Sequence, residues 1–454
     1  MSVQFDNFII HIRPFGEDHY QVYTESKHSG ESETITLSRL EFARWVQQGR
    51  EIRSKIVTLD IVQQYGKDMF ETIFQKSLLK SYVAALAVAD NQSSGLRIVF
   101  HFAECLELQE IIWETLHDGR DFLAINPQTP IARYIRQAAP VRSREQKPPL
   151  RVLFTTACPP NLPSLNLAAE EDNLRQVLQA SDDRLQLVVE RNISLDRLHH
   201  VLLRAEHTDH PFHIWHHAGH GEMVDNKFAL MLEEGGQAQS IDLTQIEPIA
   251  AVCRNLMMVV LNVCHAAAPH GLAVQLAQVN VPIVIGFHNA VLDRHALIFA
   301  RELYATLLDA PLEMAVGRVR NRLYAENQAN GGLDWLLPIL FSRSMETTFL
   351  AGSPSAQQFL PTIPSSRLPS GPRFTINARN IEADNLMVAQ RINVGQHFPF
   401  IENNAEMTLN VEEGIKARNI KTAQEANFSD AEALAAFDAL INQVRQSDQP
   451  DIQS

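Results

Sequence analysis

Several absences narrow what this chain can be. No apolar run approaches the roughly 18 residues that a bilayer span requires, so no membrane partner is expected. Cysteine is scarce: Cys105, Cys158, Cys253 and Cys264 lie far apart and form no C-x-x-C pair. Such spacing in a long chain reads as reduced thiols of a cytoplasmic protein, not as a disulfide framework. Basic residues are also in short supply, 39 Lys and Arg against 53 Asp and Glu, for a net charge of −14. That balance argues against a general nucleic-acid-binding surface and leaves a local basic patch open. Met1 to Ile10 carries an Asp and no basic residue, so no secretory leader is expected there.

What is present is a globular composition, 45% hydrophobic over 454 residues, enough for two or three domains. Residues 4–24 alternate as a hairpin, with a further strand at Thr34–Leu37. Helical spacing follows from Leu40 through Trp45 and from Met69 through Val88. Leu96–Phe102 reads as a buried strand, and Phe122–Ile125 as a short one. Glu114 beside Trp113 reads as a structural carboxylate, and Cys105 as a small apolar filler. The polar stretch Arg142–Pro149 divides residues 1–147, an α+β accessory domain, from a strand–helix alternation over 150–350. That alternation implies a mostly parallel sheet with helices on both faces. A Pro- and Ser-rich linker covers 353–373, and a small β module with a terminal helix covers 374–454. In that module Ile376-Asn-Ala-Arg-Asn-Ile381 recurs as Ile415-Lys-Ala-Arg-Asn-Ile420, an offset of 39 (415 − 376). The terminal helix opens on a Ser429/Glu432 capping box.

Two apolar runs in the central segment end in chemistry. Phe212–Ala218 runs into Gly219-His220-Gly221, and Met257–Val263 runs into Cys264-His265-Ala266-Ala267. In open α/β sheets reacting groups lie beyond the carboxyl ends of the strands, where His220 and Cys264 both fall. An imidazole at that place can take the thiol proton or stabilise the thiolate. The flanking glycines let the backbone approach a substrate, and the amides of Gly221 and Cys264 are candidate oxyanion donors. A core cysteine is the plain alternative, and a metal cluster of His213, His216, His217, His220, Cys264 and His265 is another. Against the cluster, His216 and His217 point to opposite faces of a strand. No metal or cofactor is required by the dyad reading.

These residues resemble the CHAT group of caspase-like cysteine peptidases, in the wider clan of caspases, metacaspases and separases. The resemblance covers residues 150–345: the strand to His217 with Ala218-Gly219-His220-Gly221, Val259–Val263 with Cys264, and then Val281–Phe287, Ala296–Leu308 and Asp334-Trp335. Leu96–Ile135 is similar to what often precedes the domain in bacterial members. It implies a caspase-haemoglobinase-like α/β fold, with His220 as base and Cys264 as nucleophile of peptide-bond cleavage. Two positions depart from the family pattern. Ala266 stands where many members have Ser or Thr, and Asn262 where metacaspases hold an Asp for a basic substrate residue. By resemblance, one of Glu170, Glu171 and Asp172 lines the specificity pocket with Asn262; as plain sequence, the three acids suit a helix N-terminus.

The resulting expectation is a cytoplasmic cysteine endopeptidase acting on a protein substrate, gated by a partner or ligand in a bacterial defence or signalling system. The alternative is an inactive caspase-like scaffold for protein–protein interaction. An acyl-transfer or deamidating enzyme would use the same dyad.

Overall fold

Alternating apolar residues at the start of the chain fold back on themselves. Strands β1 (Phe5–Phe15) and β2 (His19–Ser26) pair antiparallel with Ile12 opposite Val22, and the short β3 (Gly30–Glu31) and β4 (Ile35–Ser38) extend β2. The computed structural model describes residues 5–343, apart from 55–56, 103–104, 136–147, 182, 225–226, 269–270, 280, 308–309 and 329–331. It also describes 374–378, 381–388, 407–411 and 415–422.

Helices α1 (Arg39–Ser54), α2 (Leu59–Ile73) and α3 (Lys76–Asn91) follow, then β5 (Gly95–Phe102) and β6 (Ile131–Tyr134). The strand expected at Phe122–Ile125 is instead a 3-10 turn, Leu123–Ile125, with a single bridge from His117 to Phe122. Asn126-Pro127 follows at once, and the proline has no amide to donate to a ladder.

The next segment alternates strand and helix: β7 (Leu150–Ala157), α4 (Leu167–Gln179), β8 (Leu185–Glu190), α5 (Leu195–Glu206) and β9 (Ile214–Val224). The outer half of β9 turns back through β10 (Lys227–Glu234) and β11 (Gln237–Ile241). After them come α6 (Leu243–Val252), β12 (Met258–Asn262), α7 (Leu272–Val279), β13 (Ile283–Phe287), α8 (Asp293–Leu307), α9 (Leu312–Gln328) and β14 (Pro338–Ser342). Side-chain oxygens cap α4 and α5, where Asn166 accepts from the Ala169 amide and Ser194 from the Arg197 amide.

Among the described residues, β1 to β14 join one sheet. Its middle runs β8-β7-β9-β12-β13-β14-β6-β5-β1-β2, parallel except at β13–β14 and at the β1–β2 hairpin. Alternate residues feed two cores. Ile214, Val260 and Ile285 pack with Leu174 of α4, Phe299 of α8 and Val319 of α9. Trp215, Val259 and Val284 pack with Leu198 of α5, Ile249 of α6 and Leu276 of α7. Each such side chain, taken from water, contributes about 1.5–3 kcal/mol, so a register slip in β9 or β12 would exchange one core for the other.

The sheet crosses from the amino-terminal segment to the rest at β6 and β14, paired parallel with Phe341 opposite Arg133. Arg133, Glu114 and Arg320 lie fully buried at this seam. Arg133 donates to Glu114 at 2.8 Å and to the carbonyls of Gln109 and Ile111, and Arg320 donates to the carbonyls of Ile131 and Pro338. Glu114 is thus a structural carboxylate. Among the described residues no helix is long and apolar enough to cross a membrane.

Residues 1–360 form one compact unit and 361–454 a second. In the second, β15 (Phe374–Ala378) pairs with β17 (Met407–Val411), and β16 (Ile381–Val388) with β18 (Ile415–Thr422), both parallel. Ile381, Ala383 and Asn385 stand opposite Ile415, Ala417 and Asn419, a pairing offset of 34 (415 − 381), while the six-residue recurrence lies at 39. The pattern Ile-x-Ala-x-Asn starts at both Ile376 and Ile381, and the second copy is the one that pairs. The linker 353–373 and the Ser429/Glu432 helix start fall outside the described residues.

Candidate active site

Three strand ends and one loop meet at the carboxyl edge of the sheet. Asn262 of β12 is paired with Ala218 of β9, and carrying that register two residues further sets Cys264 level with His220. On the other flank Ala157 of β7 is paired with Gly219, which delivers the Pro-rich loop between β7 and α4 to the same place. There the Pro163 carbonyl oxygen lies 2.8 Å from His220 Nε2. A carbonyl has no proton to give, so Nε2 carries the hydrogen and Nδ1 is left as the ring's acceptor. The Cys158 thiol donates to the same oxygen at 3.5 Å. His220 and Cys264 are both half-buried.

The backbone around the pair is tight. A Cβ at Gly221 would overlap the Cys264 carbonyl and stand 2.8 Å from the Phe228 ring, and one at Gly219 would stand 2.7 Å from the Ala157 carbonyl. Glycine at these positions is required by close approach, not by a turn. Overpacking of this kind costs about 1–3 kcal/mol. Gly221→Ala is therefore expected to lower the melting temperature and to slow alkylation of Cys264 at least about tenfold, read by mass spectrometry of the labelled peptide. Directly after Cys264 the chain reverses at His265, a non-glycine residue in the left-handed region with φ 62°. The turn lets His265 N–H donate to the Asn289 carbonyl at 3.4 Å and Ala267 N–H to that of Phe287 at 2.9 Å. Burial holds the His265 imidazole below its ordinary pKa.

Beneath Cys264 runs a buried polar chain that the sequence did not connect. Asn262 donates through Nδ2 to Glu170 Oε1 at 2.6 Å, and His216 Nε2 lies 3.0 Å from the same oxygen. His216 Nδ1 is in turn 3.2 Å from the Tyr304 hydroxyl. Burial and the Glu170 charge push the Tyr304 phenol well up, so it stays protonated. Asn262 Oδ1 is buried with no hydrogen-bond partner among the described residues. Of the three acids singled out in the sequence, Glu170 alone joins Asn262. Glu171 turns to Arg191 and Arg175, with Arg191 Nε at 2.7 Å and Arg175 Nε at 2.9 Å. Burial pushes its carboxyl up, but those two guanidinium groups outweigh that and hold it below the ordinary range. Asp172 is exposed. One helical turn spreads three successive side chains around the axis, so only one of them can face the strand ends.

His216 and His217 do point to opposite faces. His217 is fully buried, its Nδ1 2.8 Å from the Thr155 hydroxyl, and burial lowers its pKa to about 3. It is neutral in the folded chain, whereas the unfolded chain protonates it below its ordinary value. Between these two values the unfolded state binds more protons, so stability falls as pH drops from about 6.5 towards 3, by up to ~1.4 kcal/mol per pH unit for this group. Thermal melts from pH 7 to 4 are expected to show that loss, with a shallower slope in His217→Gln.

A parallel sheet sandwiched between helices, with His and Cys at neighbouring strand ends, is the caspase-like class of α/β fold. The CHAT domain family matches residues 63–382, most of the chain, and the chain belongs to that family. The match begins well before residue 150, where the sequence resemblance began, as it should when β6 and β14 make one sheet of both segments. No curated protein matches the chain. Among solved structures, Saccharomyces cerevisiae separase, solved with securin, is similar at 12% identity and a TM-score of 0.41. The alignment covers 74% of this chain and 30% of separase, so the chain spans less than a third of that protein. A secreted C11 cysteine protease from Bacteroides thetaiotaomicron is similar at 13% identity and TM-score 0.30, over 39% of this chain and 59% of that one. The Drosophila initiator caspase Dronc is similar at 10% identity and TM-score 0.32, over 48% and 97%.

Proposed function

We propose that the chain is a cysteine endopeptidase in which Cys264 attacks and His220 moves the proton. The observation that carries this reading is the Pro163 carbonyl on His220 Nε2, which leaves Nδ1 as the only place on the ring for a thiol proton. The thiol proton passes to Nδ1 and the sulfur bonds to the scissile carbonyl carbon. The carbonyl oxygen takes up negative charge, for which the amides of Gly221 and Cys264 are the candidate donors. Collapse expels the amine, which leaves with the proton held on His220, and water then hydrolyses the thioester with His220 again as base. A peptide carrying an acyloxymethyl ketone is expected to label the wild-type chain at Cys264 and to leave Cys264→Ala unlabelled. Equal labelling of both would support the scaffold reading. Gating by a partner, and a place in a bacterial defence system, rest on the family resemblance.

The same site favours a basic residue before the scissile bond. Glu170 is buried beside Asn262, and among the described residues no Lys or Arg lies within ion-pair distance of it. Its neighbours there are the Asn262 amide and the His216 ring, and a substrate guanidinium or ammonium would add a full charge pair. Removing one member of such a pair costs about 3–5 kcal/mol. Glu170→Gln is therefore expected to lower cleavage after Arg or Lys by about 10²–10³-fold, with little loss after uncharged residues. Peptide-library profiling reads this out, and a basic preference that survives Glu170→Gln would refute the pocket.

A further inference from the structure

A cavity of about 220 Å³ opens between one face of α5 and the amino-terminal end of β7. Helix α5 brings Arg197, His200 and Arg204 to it at steps of three and four residues, which keeps them on one side of the helix. Arg151, the second residue of β7, and His210, on the loop that leads to β9, complete the basic lining. No Asp or Glu lines the cavity, in a chain with 53 acidic residues against 39 Lys and Arg. It is a local basic patch of the kind that the overall charge left open.

Arg151 is held in place by the protein itself. Its Nε donates to Gln186 Oε1 at 3.1 Å, its Nη1 donates to the His210 carbonyl, and its guanidinium lies over the Phe212 ring, 4.5 Å from the centroid. Those bonds use two of its three nitrogens. Nη2 has no partner among the described residues and is not sealed in the interior. Among the described residues no carboxylate lies within ion-pair distance of Arg151 or of the exposed Arg204. Burial lowers the Arg151 pKa with no carboxylate acting against it, and a guanidinium stays charged at neutral pH. The nearby acids are engaged elsewhere: Glu190 takes two nitrogens of Arg197, and Glu206 accepts from the Arg254 and Asn255 amides. Asp209, beside His210 in sequence, does not line the cavity.

We propose that this cavity binds a small phosphate monoester, its phosphoryl oxygens on Arg204 and on Arg151 Nη2, with ring N–H groups of His200 and His210 as further donors. Two guanidinium groups without counter-charges match a dianion, which a monoester approaches near neutral pH and a carboxylate or a phosphodiester does not. A small ligand is favoured over a nucleic acid or an anionic membrane because a net charge of −14 repels an extended polyanion. The cavity lies at the amino-terminal end of β7, whereas His220 and Cys264 lie beyond the carboxyl end, past Ala157. About 20 Å of strand separates the two places, so occupant and peptide substrate do not compete.

The test is calorimetric titration of the full chain, in a buffer free of phosphate, with adenosine monophosphate and glucose 6-phosphate. Saturable binding is expected for at least one of them, weakening as salt is raised. Binding of both means that the phosphoryl group alone is read; binding of one means that the attached nucleoside or sugar is read with it. The singly charged counterparts, cyclic AMP and glucose 6-sulfate, are each expected to bind at least about tenfold more weakly. Arg151→Gln and Arg204→Gln are expected to lose at least about tenfold in affinity for the monoester, and the exposed Arg204 decides the matter if Arg151→Gln does not fold. No saturable binding of either monoester, equal binding of its singly charged counterpart, or an unchanged affinity in Arg204→Gln overturns the proposal. Binding confined to a phosphoserine peptide would make the partner a protein and also overturn it. Titration of Cys264→Ala is expected to match wild type, so the site stands or falls apart from the protease reading; a loss of binding there would move the ligand to the catalytic cleft and end the proposal.

Discussion

Cys264→Ala is expected to leave no measurable turnover and an unchanged melting temperature. The side chain is half-buried at a strand end, so removing sulfur opens little or no cavity in either core. The covalent intermediate, however, has no other atom to form on. Cys158 is not a substitute. Its thiol follows β7, on the opposite flank of β9 from β12, and is directed at the Pro163 carbonyl. Purified wild type and variant, matched by their melts and assayed on an activated protein sample, give the comparison. Turnover from Cys264→Ala at the wild-type rate would remove the nucleophile assignment. Unfolding of the variant would return the residue to a packing role.

His220→Ala is expected to lower turnover by about 10²–10⁴-fold, the range for a positioned general base. The imidazole has three tasks, accepting the thiol proton, returning it to the leaving amine and taking a proton from the hydrolytic water, and all three depend on its Nε2–H being held by Pro163. His220→Gln keeps a donor for that carbonyl but offers no basic nitrogen, so it is expected to fail as badly as Ala. A Gln variant with near-normal rates would mean that the ring positions and does not transfer protons. Single-turnover kinetics separate acylation and deacylation from product release and make the comparison clean.

Much of this was written in local pattern. The runs ending at His220 and Cys264 declared parallel strands because both are short, apolar and bounded by small residues, and the glycines beside His220 declared close approach. The α4 start could be placed from its acids, with Asn166 as its cap. What escaped was anything carried by main-chain atoms or by the rotation of a helix. Pro163 acts through its carbonyl, which every residue type shares, so no side chain advertised it. Glu170, Glu171 and Asp172 read alike in sequence; only the packing of α4 against β12 and α8 turns Glu170 inward and leaves Glu171 to Arg175 and Arg191. Phe122–Ile125 misled because four apolar residues fit a turn as well as a strand. The Ile-x-Ala-x-Asn repeat offered two registers differing by five residues, and composition alone does not choose between Ile376 and Ile381.

The seam between β6 and β14 has a practical corollary for anyone cutting this molecule. Trimmed to residues 148–343, the chain would present the whole length of β14 as a raw edge, with Arg320 stripped of the Ile131 carbonyl and of Glu114. Such a fragment is a poor reagent: it would tend to self-associate through that edge before it could be assayed. Conversely, after one break of the backbone within 136–147 the β6–β14 pairing, with Arg320 on the Ile131 carbonyl, would still join the two pieces. The two pieces would travel together through gel filtration as a nicked heterodimer, separable only under denaturing conditions.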